Sequence, residues 1–448
     1  MLIDRGFYIT SSKLFFIRGL NYQVTLFYAE DMMKWIRIPT LLFWVFCSGL
    51  AAQEHDSSAV LIDRLVKEGF ENIRVNQERS FLRVSYENRV YRHEVEAFAI
   101  VAALAVQESQ AERLILIPQS QDVALAEIEF AAQSFRQFAQ GEIEGDAFVK
   151  SMIFREPGKR TGQRHNASFL KTDVLLYPRI AMQMGNWENR YKWRVSLVPQ
   201  LDMTLMPSLF FQGRMLIPIK DEIKSTRSEQ VRLAQAVFQG IHRLPGHVYA
   251  SVRAGVFEPE RYGVSVEAMR FLLGRQALLN VQFDRTGFLW YQEGVWNYSD
   301  LETQTWRAEA TWFFSWVDLS VSAGYGQYLH GDKGPFARMF RRVGDTQVGF
   351  TVSNTDLDTY AQLHLVIPLA PRKRPAPGRV RIQYPFYYRM GFMAQEDVTR
   401  INRWQNPGVT VQGGLPLADW NRHLVPAFFI NNVDFLQQIA REKSLSGQ

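Results

Sequence analysis

Cysteine is almost absent: Cys47 is the only one in 448 residues. That excludes a disulfide scaffold. Neither sign of charge dominates, since 51 Lys and Arg stand against 45 Asp and Glu and are spread along the whole chain. Nothing in that distribution announces a nucleic-acid partner. Walker loops and Gly-x-Gly-x-x-Gly, His-Glu-x-x-His and Gly-x-Ser-x-Gly sequences are all missing. The eight histidines are scattered, and the closest pair, His242 and His247, flanks the turn residues Leu244-Pro245-Gly246. No catalytic residue, metal ligand or cofactor is therefore assigned. After residue 52 no apolar run reaches the ~18 residues of a spanning helix; the longest, 97–106, is bordered by Glu94, Glu96 and Glu108. Aromatic residues, in contrast, are abundant: 32 Phe, 17 Tyr and 11 Trp, within a chain that is 47% hydrophobic, exclude a disordered protein.

Residues 32–52 read as a secretory signal. Met32-Met33-Lys34-Trp35-Ile36-Arg37 is a short basic stretch, 38–46 is apolar, and Ser48-Gly49-Leu50-Ala51-Ala52 is a small-residue run leading into polar Gln53-Glu54-His55. Cleavage is expected after Ala51 or Ala52, and residues 1–31 read as an upstream translation extension. Cys47 falls inside the signal; bulky Trp44-Val45-Phe46 before it argues against lipidation. A mature chain without cysteine suits an oxidising compartment.

The remainder divides into two kinds of pattern. Residues 53–165 predict a small α/β domain and its linker, to be found in the periplasm. Within it, Ser57 or Ser58 starts a helix ended by Gly69, strands lie around 73–75 and 81–86, an Ala-rich helix covers 94–107, strands follow at 113–118 and 123–130, and a second helix covers 131–148. Residues 155–164, with Pro157, Gly158 and Gly162 among four basic residues, read as the linker. From 170 to 395 long alternating runs take over. Leu279, Val281 and Phe283 oppose Asn280, Gln282 and Asp284; Trp306, Ala308, Ala310 and Trp312 oppose Arg307, Glu309 and Thr311. Runs of about nine or more residues match tilted strands of an outer-membrane antiparallel β-barrel, here of roughly ten to twelve strands; the strands of a soluble sandwich are shorter. The tail, 396–448, predicts a helix over 433–443 and leaves room for one more strand.

If the alternation holds, Lys192, Arg194, Arg214, Arg253, Arg307, Glu309, Asp202 and Asp284 project into one lumen. They either neutralise one another there or line a passage for a hydrated polymer. Arg194, Arg214 and Arg253 are the candidate polymer contacts, because arginine offers several donors to carboxylates and sugar hydroxyls. Ser353 and His364 are the one pair that a barrel-borne hydrolase of lipid or polysaccharide would use. A general diffusion porin is the other alternative. The basic run 371–379 reads as a solvated hairpin, with anionic lipid or polysaccharide as its sharper possible contact.

The turn Gly326-Gln327-Tyr328-Leu329-His330-Gly331-Asp332-Lys333-Gly334, followed by Arg341-Arg342 and by Gly344-Asp345-Thr346-Gln347-Val348-Gly349-Phe350, resembles the YjbH/GfcD family of exopolysaccharide and group 4 capsule assembly proteins. Pro259-Glu260-Arg261-Tyr262-Gly263-Val264, Val366-Ile367-Pro368-Leu369 and Glu87-Asn88-Arg89-Val90-Tyr91-Arg92 are similar to the same family. The resemblance implies an outer-membrane barrel with periplasmic α/β parts, no cofactor and no catalytic residue. It also implies outer-membrane lipid, an exported polysaccharide and periplasmic export proteins as partners. On the residues alone, Gly326, Tyr328, Asp332 and Gly334 read as hairpin-tip chemistry, in which Gly tolerates positive φ and Asp bonds its own backbone.

Overall fold

The computed structural model describes residues 57–445 apart from 79, 159–160, 185–190, 223–228, 293, 370, 396–407 and 418–422. The expected extension, signal and cleavage site lie outside the described residues; the tail from Gly408, which had room for a further strand, forms among its described residues only an isolated bridge between Gln412 and Glu258.

The first elements form an α/β layer. Helix α1 (Ser57–Glu68) buries Leu61 and Leu65, four apart on one face. It ends at Gly69, whose φ of +96° suits a residue without Cβ. Strands β1 (Glu71–Gln77) and β2 (Phe81–Glu87) pair antiparallel. Helix α2 (Glu94–Glu108) buries Val95 and all of 97–105, so it is apolar on every side and lies in the middle of the core. Strand β3 (Arg113–Ser120) then returns parallel to β2, the crossover connection that α2 makes possible. Strands β4 (Val123–Ala124), β5 (Glu127–Ala131) and β6 (Ile153–Arg155) complete a six-stranded sheet. The single helix expected over 131–148 is two, α3 (Ala132–Gln140) and α4 (Gly145–Ser151). Gly141 separates them by taking φ +82° and donating to the Phe138 carbonyl, a left-handed cap that stops the first helix. The expected linker is partly structured as well, since Arg155 belongs to β6 and His165, just beyond it, bridges Ile73.

The long strands follow: β7 (Thr172–Met184), β8 (Tyr191–Met206), β9 (Leu209–Asp221), β10 (Arg232–Leu244), β11 (Val248–Phe257), β12 (Arg261–Leu272) and β13 (Ala277–Gln292), with short β14 (Val295–Tyr298) on the last of these. Then come β15 (Thr303–Phe314), β16 (Leu319–Gln327), β17 (Lys333–Val343), β18 (Thr346–Asn354), β19 (Thr359–Pro368), β20 (Val380–Gln383) and β21 (Tyr387–Gln395). They make one fifteen-stranded sheet, more than the ten to twelve strands expected. Two-residue turns such as Pro207-Ser208 and Gly344-Asp345 fit more strands into the length, and the stretch read as one strand near 379–392 splits in two. Neighbours are antiparallel except at the seam. There β20 runs parallel to the start of β7 while β21 pairs with β19, and the Tyr388 hydroxyl accepts a 3.0 Å hydrogen bond from the Ile180 amide of β7. Among the described residues no backbone ladder joins β7 to β21, so the sheet curls without a continuous antiparallel closure.

Two tail helices, α5 (Pro426–Asn431) and α6 (Val433–Leu445), return to the α/β layer. Phe429 meets the rings of Phe98 and Phe154 edge-on at 5.2 and 5.3 Å. One core contains these residues together with Leu436 and with Ile241, Tyr249, Met269, Phe271 and Leu278 from one end of the large sheet. That end, where the α/β layer sits, is the near end; the other is the far end.

Candidate functional site

Burial along the long strands runs opposite to that of a soluble protein. On β13, Val281 and Phe283 are 53% and 46% exposed, while Gln282 and Asp284 are 6% and 2% exposed. The same inversion holds on β11, where Val252 is exposed between buried Ser251 and Arg253, and on β18, where Val348, Phe350 and Val352 are exposed between buried Gln347, Thr351 and Ser353. The period-2 pleat sends alternate residues to opposite faces. Here the apolar face is the exposed one, and the polar face is turned to the inside of the curled sheet, its lumen.

Polar groups in that lumen bind one another along the ladder. Thr305 donates to Asp284 at 2.7 Å, Gln282 to Asp284 at 2.9 Å and Arg307 to Gln282 at 3.1 Å. Arg338 pairs with Glu309. The three arginines expected to face inward do so, and each already has a partner. Arg194 Nε donates to Asp221 at 3.0 Å, Arg214 donates twice to the Gln200 side-chain oxygen, and Arg253 lies 3.3 Å from Glu267.

Arg253 has a second partner: its Nη1 donates to the Gly413 carbonyl at 3.0 Å. Residues 408–417 run through the lumen from the far end towards the near end. At the far end Asp332 accepts from the Gly408 amide at 2.8 Å, the Leu329 amide donates to the Val409 carbonyl, and Glu258 and Gln412 exchange two backbone hydrogen bonds. Deeper in, the Gln239 amide makes a reciprocal pair with Leu415, donating to its carbonyl at 2.8 Å and accepting from its N–H at 2.7 Å. Glu267 accepts from the Leu417 amide. Val411 packs on Val237, Phe257 and Leu329. At the near end Arg275 donates to the Leu424 and Leu125 carbonyls and to Glu156, tying tail, α/β layer and sheet together.

The turn motif holds the tail where it enters. Tyr328 and Asp332 are buried, and the turn closes on itself through hydrogen bonds from the Tyr328 amide to the Asp332 carbonyl and from the Gly331 amide to the Tyr328 carbonyl. Gly334 is required by crowding, because a Cβ there would stand 2.0 Å from the Asn354 carbonyl oxygen; at Gly326 it would stand 2.8 Å from that of Trp306. The hairpin-tip reading of these residues gave no sign that they grip a segment some seventy-six positions later.

The basic run 371–379 is docked, which corrects the solvated hairpin expected. Arg372 binds Asp345, Lys373 binds Glu68, and the Arg92 and Arg374 amides donate to the Arg372 and Val90 carbonyls. Glu68 also receives Tyr91 and Lys443; burial alone would raise its carboxyl, but the bonds from Lys443, Tyr91 and Lys373 hold it at about 2. His93, 3.1 Å from Asp345, is lowered to about 4, chiefly by burial against the opposing pull of Asp345, so it is neutral at pH 7. Ser353 and His364 are not assembled as a catalytic pair: Ser353 donates to the Pro335 carbonyl, and His364 bonds Thr351 at 2.9 Å. Among the described residues no group of three or more His, Cys, Asp or Glu is placed to hold a metal ion.

A family model described as exopolysaccharide biosynthesis protein YbjH matches residues 48–362. The chain belongs to the YjbH family. The match takes in the α/β layer and the strands up to β19, including the turn that grips the tail, and ends before the tail itself. No curated protein and no solved structure matches the chain.

Proposed function

We propose that the protein is a non-enzymatic outer-membrane β-barrel that takes part in assembling or exporting an exopolysaccharide. The α/β layer and tail helices then stand on the periplasmic side. The observation that carries this reading is the inverted burial: a band of exposed Val, Leu, Phe and Trp around a lined polar interior is costly in water and favourable in lipid. Backbone groups inside a bilayer must be paired, and long antiparallel ladders supply that pairing without a spanning helix. Family membership supplies the polysaccharide context. A segment lodged across the lumen speaks against a permanently open diffusion porin.

Deletion and complementation test this reading. Loss of the gene should abolish or sharply reduce secreted polymer, and the complementing protein should fractionate with the outer membrane and migrate differently on a gel when unheated. Recovery in the soluble periplasm, or normal polymer in the deletion strain, would contradict it.

A further inference from the structure

The polar lumen side chains that hold the deeper part of the tail bind its peptide groups. Gln239 presents its N–H and C=O together to Leu415, Arg253 donates to the Gly413 carbonyl, and Glu267 accepts from the Leu417 N–H. All three are nearly fully buried, at 0%, 3% and 1% exposure. The fit is close. A Cβ on Gly414 would stand 2.2 Å from Gln239 Oε1, and one on Gly413 would stand 2.7 Å from the Phe257 ring.

Along the same wall the lumen offers more polar capacity than the tail uses. Arg253 Nε, Ser265 Oγ, Asn280 Oδ1 and Thr286 Oγ1 are buried without a hydrogen-bond partner among the described residues. Arg253, Ser265 and Asp284 are neighbours across adjacent strands, and Asn280 and Thr286 share the inward face of β13 with Asp284, so these groups line one wall of the lumen. Buried polar atoms left over in this way mark a surface suited to a hydroxyl-rich occupant.

We propose that the tail is the resident occupant of a glycan channel: residues 408–417 keep the lumen closed, and an acetamido-bearing polysaccharide takes the same side chains when the tail is withdrawn. The N–H and C=O of an N-acetyl group point opposite ways, so it meets Gln239 through one of them at a time, donating to Oε1 as the Leu415 N–H does or accepting from Nε2 as the Leu415 carbonyl does, and its carbonyl suits Arg253 as that of Gly413 does. Arg253 and Glu267, a donor beside an acceptor, suit the hydroxyls of the ring, and Phe257 supplies an apolar wall for a sugar face. Each contact is a single exchangeable hydrogen bond, which lets a chain advance. The inference rests on the outer-membrane reading above.

The test is conductance of the full-length protein in planar bilayers. The wild type should pass little current, and Gly414→Trp, which cannot fit against Gln239, should raise it about tenfold or more. Chitotetraose should then block the Gly414→Trp channel at concentrations where maltotetraose, which lacks acetamido groups, does not; adding Gln239→Ala should remove that discrimination. A Gly414→Trp protein no more conductive than wild type, or equal block by the two sugars, would overturn the proposal.

A second variant does not depend on tolerating tryptophan. Glu258 and Gln412 form a hydrogen-bonded antiparallel pair, a geometry within reach of a disulfide. In a Cys47→Ser background, Glu258→Cys with Gln412→Cys should secrete polymer only when reduced; undiminished secretion by the oxidised protein would sink the gate. Protein that never inserts or shows heat-modifiable migration overturns the membrane reading beneath, which separates that failure from a failure of the gate.

Discussion

Asp332 and Gly408 are 76 positions apart, yet the Asp332 carboxylate accepts the Gly408 amide at 2.8 Å. The bond fixes where the tail enters the lumen. Its acceptor stands in a turn that is itself buried, and its donor begins the run that ends at Arg275 and the α/β layer. The strands, the α/β layer and the tail are thereby held as one assembly, with the turn motif as the clasp at the far end.

Asp332→Ala should loosen that clasp. Removing the carboxylate acceptor from this partly buried amide costs on the order of 1 kcal/mol. The expected outcome is a barrel that still forms but whose 408–417 segment is cut faster by protease in limited digestion, with a rise in bilayer current smaller than that of Gly414→Trp.

Gly334→Ala should prevent barrel formation. The added Cβ would stand 2.0 Å from the Asn354 carbonyl oxygen, a backbone atom that cannot move without breaking the ladder between β17 and β18. Loss of the heat-modifiable species on a gel is the readout, and Gly240→Ala on β10, where the nearest atom to an added Cβ is His242 Nε2 at 3.8 Å, is the control that should keep it.

Arg253→Gln, Arg214→Gln and Arg194→Gln combined should lower secreted polymer while leaving the barrel inserted, because polar lumen positions tolerate polar replacement better than lipid-facing ones. Of the three, Arg253→Gln alone should also increase current, since it alone holds the tail. Secretion by an inserted triple variant at the wild-type level would refute lumen contact.

Asp173→Ala should detach the α/β layer from the sheet. Asp173 receives Arg89 of the layer and Arg381 of β20 at 2.8 Å each, and its loss leaves two guanidinium groups deprived of that partner at the junction. Breaking one partner of a buried pair costs roughly 3–5 kcal/mol. Faster protease cleavage between 156 and 171 in the full-length protein is the measurement.

Glu94→Gln should flatten the dependence of the α/β layer on pH. Burial, against the opposing bond from Asn88, raises Glu94 from 4.5 to about 7. Between those values the folded layer holds a proton that the unfolded chain has released, so stability falls as pH rises through the window and stays low above it. Glu94→Gln should therefore gain up to about 2 kcal/mol at pH 8 and little at pH 4, read from urea midpoints of the full-length protein in detergent.

The two faces of each long strand were legible residue by residue, because the pleat has a period of two and Leu279, Val281 and Phe283 alternate with Asn280, Gln282 and Asp284 whatever the partner strand. So were α1 with its glycine stop and α2 with its unbroken apolar run, since both depend on neighbours within a few positions. The inward arginines followed from the same parity.

What the tertiary structure decided are the contacts that join distant stretches. Nothing near Asp332 indicates Gly408, and nothing near Arg253 indicates Gly413, because a backbone carbonyl or amide carries no side-chain signature. The basic run 371–379 reads as solvated for the same reason: its carboxylate partners Glu68 and Asp345 lie in other elements. Local sequence determined the elements and their faces through sterics and periodicity. Which segment fills the lumen was settled only when the curled sheet brought its polar face around the tail, where buried donors and acceptors had to find partners.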